Sequence, residues 1–245
     1  MEKLFIVANW KMNGSKKSNE QLVNYIKHKV HENPNIEVII CPPFTYLTQI
    51  LELKTSIIKI GAQNISESQE GAFTGEISGS MLQDMNIDYV IIGHSERRQM
   101  FNDTNNIIAQ KFELAHQNNL IPILCVGESL NERKTGQTLS VVESQIKSVI
   151  ESTCIKLFTK SIIAYEPVWA IGSGKPCSID QVVEISAKVK ESIGEDVPVV
   201  YGGSVNEKNV DQFFRVAEIN GVLVGSASLD VEKFIQMLKK ISGAN

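Results

Sequence analysis

Five short segments of this chain set reactive or hydrogen-bonding residues directly behind apolar runs. They are Asn9-Trp10-Lys11, Gly93-His94-Ser95-Glu96-Arg97-Arg98, Tyr165-Glu166-Pro167, Tyr201-Gly202-Gly203-Ser204 and Gly225-Ser226. In parallel α/β folds the site lies at the carboxyl ends of the strands, so these residues are read first. Glu166 precedes a proline, which biases its backbone towards extended geometry and gives its carboxylate a defined approach. The ordinary alternative for a single glutamate is a solvated loop residue. His94 follows four apolar residues and a glycine. A lone histidine there is more often a satisfied core or capping residue. If a helix begins at Ser95, its amino end disfavours a positive imidazole and keeps His94 neutral. Lys11 is the cation immediately behind the first apolar run, with a solvated surface lysine as its alternative. Glu96 to Arg98 reads most simply as a salt-bridged helix start that supports His94.

Glycine is concentrated late, in Gly172-Ser173-Gly174-Lys175, Gly202-Gly203-Ser204 and Gly225-Ser226. Bare backbone N–H groups and a helix amino end bind phosphate, and in barrels that site follows strands seven and eight. Any one glycine pair alone is an ordinary turn. Gly172–Lys175 is not a P-loop, because Trp169 stands where the first glycine is required and Pro176 where Ser or Thr is required. The dinucleotide fingerprint fails at Cys177. No G-x-S-x-G is present, so a hydrolase nucleophile elbow is unsupported. A Schiff-base aldolase wants a lysine at a buried strand end, where Glu166 stands instead. The four histidines show no HxH or HExxH spacing, which argues against a metal site. What remains is acid–base chemistry on a small phosphorylated substrate.

The elements that must hold these groups are eight apolar runs: Phe5–Asn9, Val38–Cys41, Lys59–Asn64, Tyr89–Gly93, Ile121–Val126, Ile162–Tyr165, Val199–Gly202 and Gly221–Val224. Most are continuously apolar, as parallel strands buried on both faces require. Helical periodicity lies between them, in Leu22/Tyr25/Ile26/Lys29/Val30, Ile107/Ile108/Lys111/Phe112/Ala115, Leu139/Val142/Ile146/Val149/Ile150, Val182/Val183/Val189/Ile193 and Val231/Phe234/Ile235/Leu238/Ile241. Ser178-Ile179-Asp180-Gln181 has the form of a capping box and predicts a helix start. Strand and helix alternate eight times in 245 residues, which favours a closed (β/α)8 barrel over an open doubly wound sheet and predicts one domain over residues 1–245. The polar stretch Ile65 to Gly79 is long for a compact domain, and Phe73 at its middle predicts a loop that docks into something.

Composition excludes several classes. A net charge of −4 argues against a general polyanion binder such as a nucleic-acid protein. Hydrophobic residues at 42% and charged residues at 21% exclude disorder of the whole chain. No apolar stretch is long enough to span a membrane, and Leu4–Ala8 is shorter than a signal-peptide core. Cys41, Cys125, Cys154 and Cys177 have no CxxC or framework spacing, which predicts buried, reduced thiols in a cytoplasmic protein.

Read in order, Ala8-Asn9-Trp10-Lys11-Met12-Asn13, Ile92–Arg98, Ala164-Tyr165-Glu166-Pro167-Val168-Trp169-Ala170-Ile171-Gly172, Tyr201–Val205 and Leu223-Val224-Gly225 resemble the triose-phosphate isomerases from end to end. The resemblance implies a homodimeric barrel interconverting dihydroxyacetone phosphate and D-glyceraldehyde 3-phosphate in glycolysis and gluconeogenesis, without cofactor or metal. It implies Glu166 as the base, His94 as a neutral imidazole polarising the carbonyl, Lys11 as positive charge and Asn9 as a side-chain hydrogen bond to substrate. Gly172, Ser204, Gly225 and the N–H of Ser226 would hold the phosphate, with Glu96 in support. The Ile65–Gly79 loop would insert into the partner subunit, with Thr74 near the partner's site. Two positions depart from the family's usual pattern: Ser226 stands where a second glycine is usual, and Ser173 where Thr is common. The alternatives are another phosphate-binding barrel enzyme without isomerase activity, which would require loss of Glu166, His94 or Lys11, and a surface-displayed binding protein, for which no export signal speaks.

Overall fold

Eight parallel strands follow one another around a closed barrel in chain order. They are β1 (Leu4–Asn9), β2 (Ile36–Cys41), β3 (Ile58–Ala62), β4 (Tyr89–Ile92), β5 (Ile121–Val126), β6 (Ile162–Tyr165), β7 (Val199–Tyr201) and β8 (Gly221–Val224). The computed structural model describes residues 3–29, 33, 35–52 and 54–242. The ring closes where β1 pairs with β8, with Phe5 opposite Gly221 and Ala8 opposite Val224. Ten helices among the described residues surround it: α1 (Lys16–Lys29), α2 (Leu47–Leu51), α3 (Gly79–Asp84), α4 (Ser95–Met100), α5 (Asn105–Gln117), α6 (Leu130–Lys134), α7 (Thr138–Ser152), α8 (Ile179–Ile193), α9 (Val210–Phe213) and α10 (Val231–Ser242). The doubly wound alternative is therefore set aside.

The two faces of each strand explain the unbroken apolar runs. Phe5, Val7, Ile39, Cys41, Ile91, Ile123, Cys125, Ala164, Val200 and Leu223 share one core inside the barrel. Their neighbours Ile6, Ala8, Val38, Ile40, Val90, Ile92, Leu124 and Val222 pack outward among helix residues such as Ile26, Phe112, Ile146, Ile185 and Phe234. Strand ends moved by one or two residues from the sequence expectation. β2 begins at Ile36 because the intervening Glu37 is buried and bonded by Tyr89 and Lys3, so a polar residue continues the strand. β3 stops at Ala62 rather than Asn64, β4 at Ile92 rather than Gly93, and β7 at Tyr201 rather than Gly202. At Gly93 the reason is conformational: its φ of +72° leaves extended backbone.

In α1, Val23 is buried and Tyr25 is exposed, because Leu22, Val23 and Ile26 form the inward stripe; Val30 lies outside the described residues. Ser178 caps α8 by accepting from the Gln181 N–H, while the Gln181 side chain accepts from the Cys177 thiol instead of closing the box. The complete capping box is at Ser129 and Glu132, which cap α6 reciprocally. Cys41 and Cys125 are buried inside the barrel, and burial pushes both thiols well up. Cys177 is also buried and is pushed up to about 11, chiefly by desolvation. Cys154 corrects the expectation, being exposed in the link after α7, where no strand face covers it. The Ile65–Gly79 loop is anchored by buried Ile65 and by Ser66 N–H bonded to the Ile77 carbonyl at 2.8 Å, and it carries Phe73 outward at 51% exposure.

Candidate active site

At the carboxyl end of β1 the chain makes a costly turn. Lys11 has a φ of +52°, a left-handed conformation that costs a non-glycine residue about 1–2 kcal/mol. Three contacts hold it there. Asn9 Oδ1 accepts the Lys11 N–H at 3.0 Å, Gln63 Nε2 donates to the Lys11 carbonyl at 2.9 Å, and Lys11 Nζ reaches Glu96 Oε1 at 2.5 Å. Gln63 also bonds the Cys41 carbonyl at 2.8 Å, which ties the ends of β1, β2 and β3 together.

His94 caps α4, and its Nδ1 accepts the Glu96 N–H at 3.2 Å. That bond leaves the proton on Nε2, because a positive imidazole would set two N–H groups face to face. Nε2 lies 3.2 Å from Glu166 Oε1. Glu166 is 1% exposed, an unusual place for a carboxylate. Its Oε2 accepts the Ser95 N–H at 3.1 Å, while Oε1 is buried without a hydrogen bond, the imidazole N–H passing beside it rather than aiming at it. An unsatisfied buried carboxylate oxygen costs stability, and such groups concentrate where a proton is to be taken.

The backbone of Glu166 is laid along the end of β5. Its N–H donates to the Val126 carbonyl at 2.7 Å, and two residues on the Val168 N–H donates to the Glu128 carbonyl at 3.1 Å. Between these bonds stands Gly127, where a Cβ atom would fall 1.8 Å from the Glu166 carbonyl oxygen. Glycine is required there by close approach. Glu128, fully buried, then gathers the residues on either side of Glu166: its carboxylate accepts from Tyr165 Oη at 3.1 Å and from Trp169 Nε1 at 2.8 Å, with Arg133 Nη1 3.6 Å away. At the far end of that segment the Cys177 N–H donates to Tyr201 Oη at 2.9 Å.

The helix start after His94 is salt-bridged, as expected, with partners outside α4: Glu96 pairs with Lys11 and Arg97 with Asp103. Arg97 pairs with Asp103 at 2.9 Å, and Asp103 also takes the buried Lys111 at 2.9 Å. Arg98 donates to the Gly93 carbonyl at 2.8 Å, the Cys125 carbonyl at 3.0 Å and Asn105 Oδ1 at 2.8 Å. These charges are therefore satisfied outside α4: Arg97 reaches Asp103 in the link before α5, and Arg98 reaches the ends of β4 and β5. Burial lowers the pKa of Arg98 from its ordinary value.

A cavity of about 270 Å³ opens above these groups. Of the residues singled out in the sequence, Lys11, His94, Glu166, Gly172, Ser204, Gly225 and Ser226 line it; Asn9 and Glu96 stand behind, each bonded to Lys11. Trp10, Asn13, Ile171, Gly202, Gly203, Val205 and Leu223 complete the lining. Among the described residues that line it, Glu166 carries the one carboxylate and Lys11 the one ammonium. The strand-end rule that selected the other segments also applies to Gly127-Glu128 behind β5, which the sequence reading passed over. No group of three or more His, Cys, Asp or Glu among the described residues could hold a metal ion, and none of their helices is long and apolar enough to cross a membrane.

Geometry of this kind defines a class: barrel proteins whose mouth sets a buried carboxylate, an imidazole and a lysine around one small cavity. Comparison with known proteins narrows the class. A family model described as triosephosphate isomerase matches residues 4–241. Proteins named triosephosphate isomerase from Alkaliphilus oremlandii, Nitrosococcus oceani and Natranaerobius thermophilus are 41%, 40% and 39% identical to this chain. The matches cover 97%, 94% and 98% of this chain and 99%, 95% and 96% of those proteins. The chain belongs to the triosephosphate isomerase family.

Proposed function

We propose that this enzyme interconverts dihydroxyacetone phosphate and D-glyceraldehyde 3-phosphate, with Glu166 as the base. The observation that carries this reading is the free, buried Oε1 of Glu166, 3.2 Å from His94 Nε2 and facing the same cavity as Lys11. Glu166 takes the proton from the carbon next to the carbonyl. The C–H electron pair becomes the C=C bond of an enediolate, and the carbonyl pair moves onto oxygen beside the Nε2–H of His94. Return of the proton to the neighbouring carbon, with the hydroxyl proton passing from one enediolate oxygen to the other beside His94, gives the isomer with no net gain or loss of electrons. Lys11 stabilises the developing negative charge. Phosphate is held by N–H groups of Gly172, Ser204, Gly225 and Ser226, supported by a cavity wall there that bears no carboxylate. Asn9 gives the substrate a side-chain hydrogen bond from its amide N–H, its Oδ1 being taken by the Lys11 N–H.

The same proposal makes the enzyme a homodimer joined through the Ile65–Gly79 loop, supported by an aromatic ring, Phe73, left half in water at its tip. It takes 1–245 as one barrel domain in the cytoplasm, working without a cofactor. A coupled isomerase assay on purified protein tests the reading. Glu166→Gln keeps the shape and removes the basicity, so kcat falls roughly 10²–10⁴-fold while substrate binding is largely kept. Near-full kcat in that variant refutes the assignment.

A further inference from the structure

Glu166 and the start of the segment that follows it both hang from the last residue of β5 and the two residues beyond it. Glu166 N–H is held by the Val126 carbonyl, Val168 N–H by the Glu128 carbonyl, and the Glu166 carbonyl rests on the bare face of Gly127 between them. The placement of the base is therefore only as good as the placement of the Gly127 peptide groups. Gly127 is held from the other side by one residue on α7. Gln145 Oε1 accepts the Gly127 N–H at 2.8 Å, and Gln145 Nε2 donates to the Gly127 carbonyl at 3.0 Å. A primary amide is the one side chain that offers a donor and an acceptor side by side in a plane, matching the N–H and C=O of a single residue. Two bonds fix both orientation and height, where one would leave a pivot.

We infer that Gln145 is a positioning residue for the isomerisation. It clamps Gly127 so that the Glu166 carboxylate stands at the height of the carbon from which it takes the proton. Its Cα lies on the outer helix layer and it does not line the cavity, so it acts through Gly127 and never touches substrate. The inference rests on Glu166 being the base.

The test is Q145L with Q145E beside it. Q145L removes both bonds, and Q145E keeps an acceptor for the Gly127 N–H while setting a carboxylate against its carbonyl. Substrate deuterated at the transferred position is compared with unlabelled substrate. In Q145L, kcat falls at least about tenfold, while KM and inhibition by inorganic phosphate stay within about threefold, as expected for an interaction expressed in the transition state. The deuterium isotope effect on kcat rises and the pH profile of kcat shifts, with Q145E intermediate. A variant that merely contained less folded enzyme would lose activity without moving either of those two readouts. If Q145L does not fold, Q145E carries the test alone. Wild-type kcat, or a loss with unchanged isotope effect and pH profile, overturns the inference. A wild-type protein without isomerase activity, or an active Glu166→Gln variant, instead overturns the reading of the base on which it rests.

Discussion

Gly127→Ala is the most severe single-atom perturbation of the candidate site that the structure allows. The added Cβ would sit 1.8 Å from the Glu166 carbonyl oxygen and 2.6 Å from its carbonyl carbon, and ordinary contact begins near 3.4 Å. The neighbour is backbone, so no side-chain rotation relieves the clash; one of the two chain segments must move by about 1.6 Å, the gap between those two separations. Moving the Glu166 segment stretches the 2.7 Å bond from its N–H to Val126 and carries the carboxylate off His94 and Ser95. A 1 Å misplacement of a reacting group costs about 10²-fold in rate, so kcat should fall by at least about that factor. Three of the four proposed phosphate contacts, Ser204, Gly225 and Ser226, follow β7 and β8 and keep their place, so inhibition by inorganic phosphate should change far less than kcat does. Gly136→Ala is the control: it adds the same methyl group, here at a glycine in the left-handed region, and into open space. It should cost stability of about 1 kcal/mol and leave kcat alone. Steady-state kinetics on both variants, with circular dichroism to establish folding, decide the matter. A folded Gly127→Ala enzyme within fivefold of wild-type kcat would show that the base is not held by this contact.

Three further outcomes are expected. Lys11→Met keeps much of the stem but loses the ammonium paired with Glu96, so kcat/KM collapses in a protein that still folds; an unchanged kcat/KM refutes the role. Thr74→Arg puts a charge into the proposed subunit contact and should make activity depend on protein dilution; sedimentation showing an unaltered dimer counts against it. His116 is pushed down to about 4 by burial and, secondarily, by Lys160. Unfolded histidine titrates near 6.5, so the folded protein binds fewer protons between those values. Its contribution to stability is therefore complete above about pH 6.5 and is lost as pH falls through about 4. His116→Gln should flatten the stability–pH curve in that window, and an unchanged slope in denaturant titrations refutes the assignment.

The barrel and much of the cavity wall were legible because both rest on local signals. An unbroken apolar run reports a strand buried on two faces, and the residue behind it is at the mouth whatever its neighbours do. Ile121–Val126, Ile162–Tyr165 and Gly221–Val224 fall at the expected positions for that reason. Strand ends were misjudged where a polar residue finds a distant partner, as Glu37 does with Tyr89, 52 residues away. One partner of Arg98 was hidden for the same reason, since the Cys125 carbonyl, 27 positions away, comes within reach only when β4 and β5 lie side by side. The demand for glycine at 127 comes from a carbonyl 39 positions further on, and no pattern along the chain announces it. Asn9 is a subtler case: its strand-end position is correct, but the side chain turns back to the Lys11 N–H.

The closure of β1 upon β8 bears on how the enzyme is made. The site is assembled from residues far apart along the chain: Lys11 is synthesised well before Gly225 and Ser226, which stand beside it in the finished cavity. A Cβ placed on Gly225 would touch Lys11 Cε at 3.4 Å, so the two segments are in near contact. A nascent chain on the ribosome can pair β1 with β2 as soon as both emerge, yet β1 keeps one open edge until β8 arrives. During that interval the lysine has no phosphate wall opposite it. Catalytic competence therefore waits for β8 to take its place, and a chain truncated before β8 combines an exposed strand edge with an incomplete site, a product for proteases or chaperones rather than a slow enzyme.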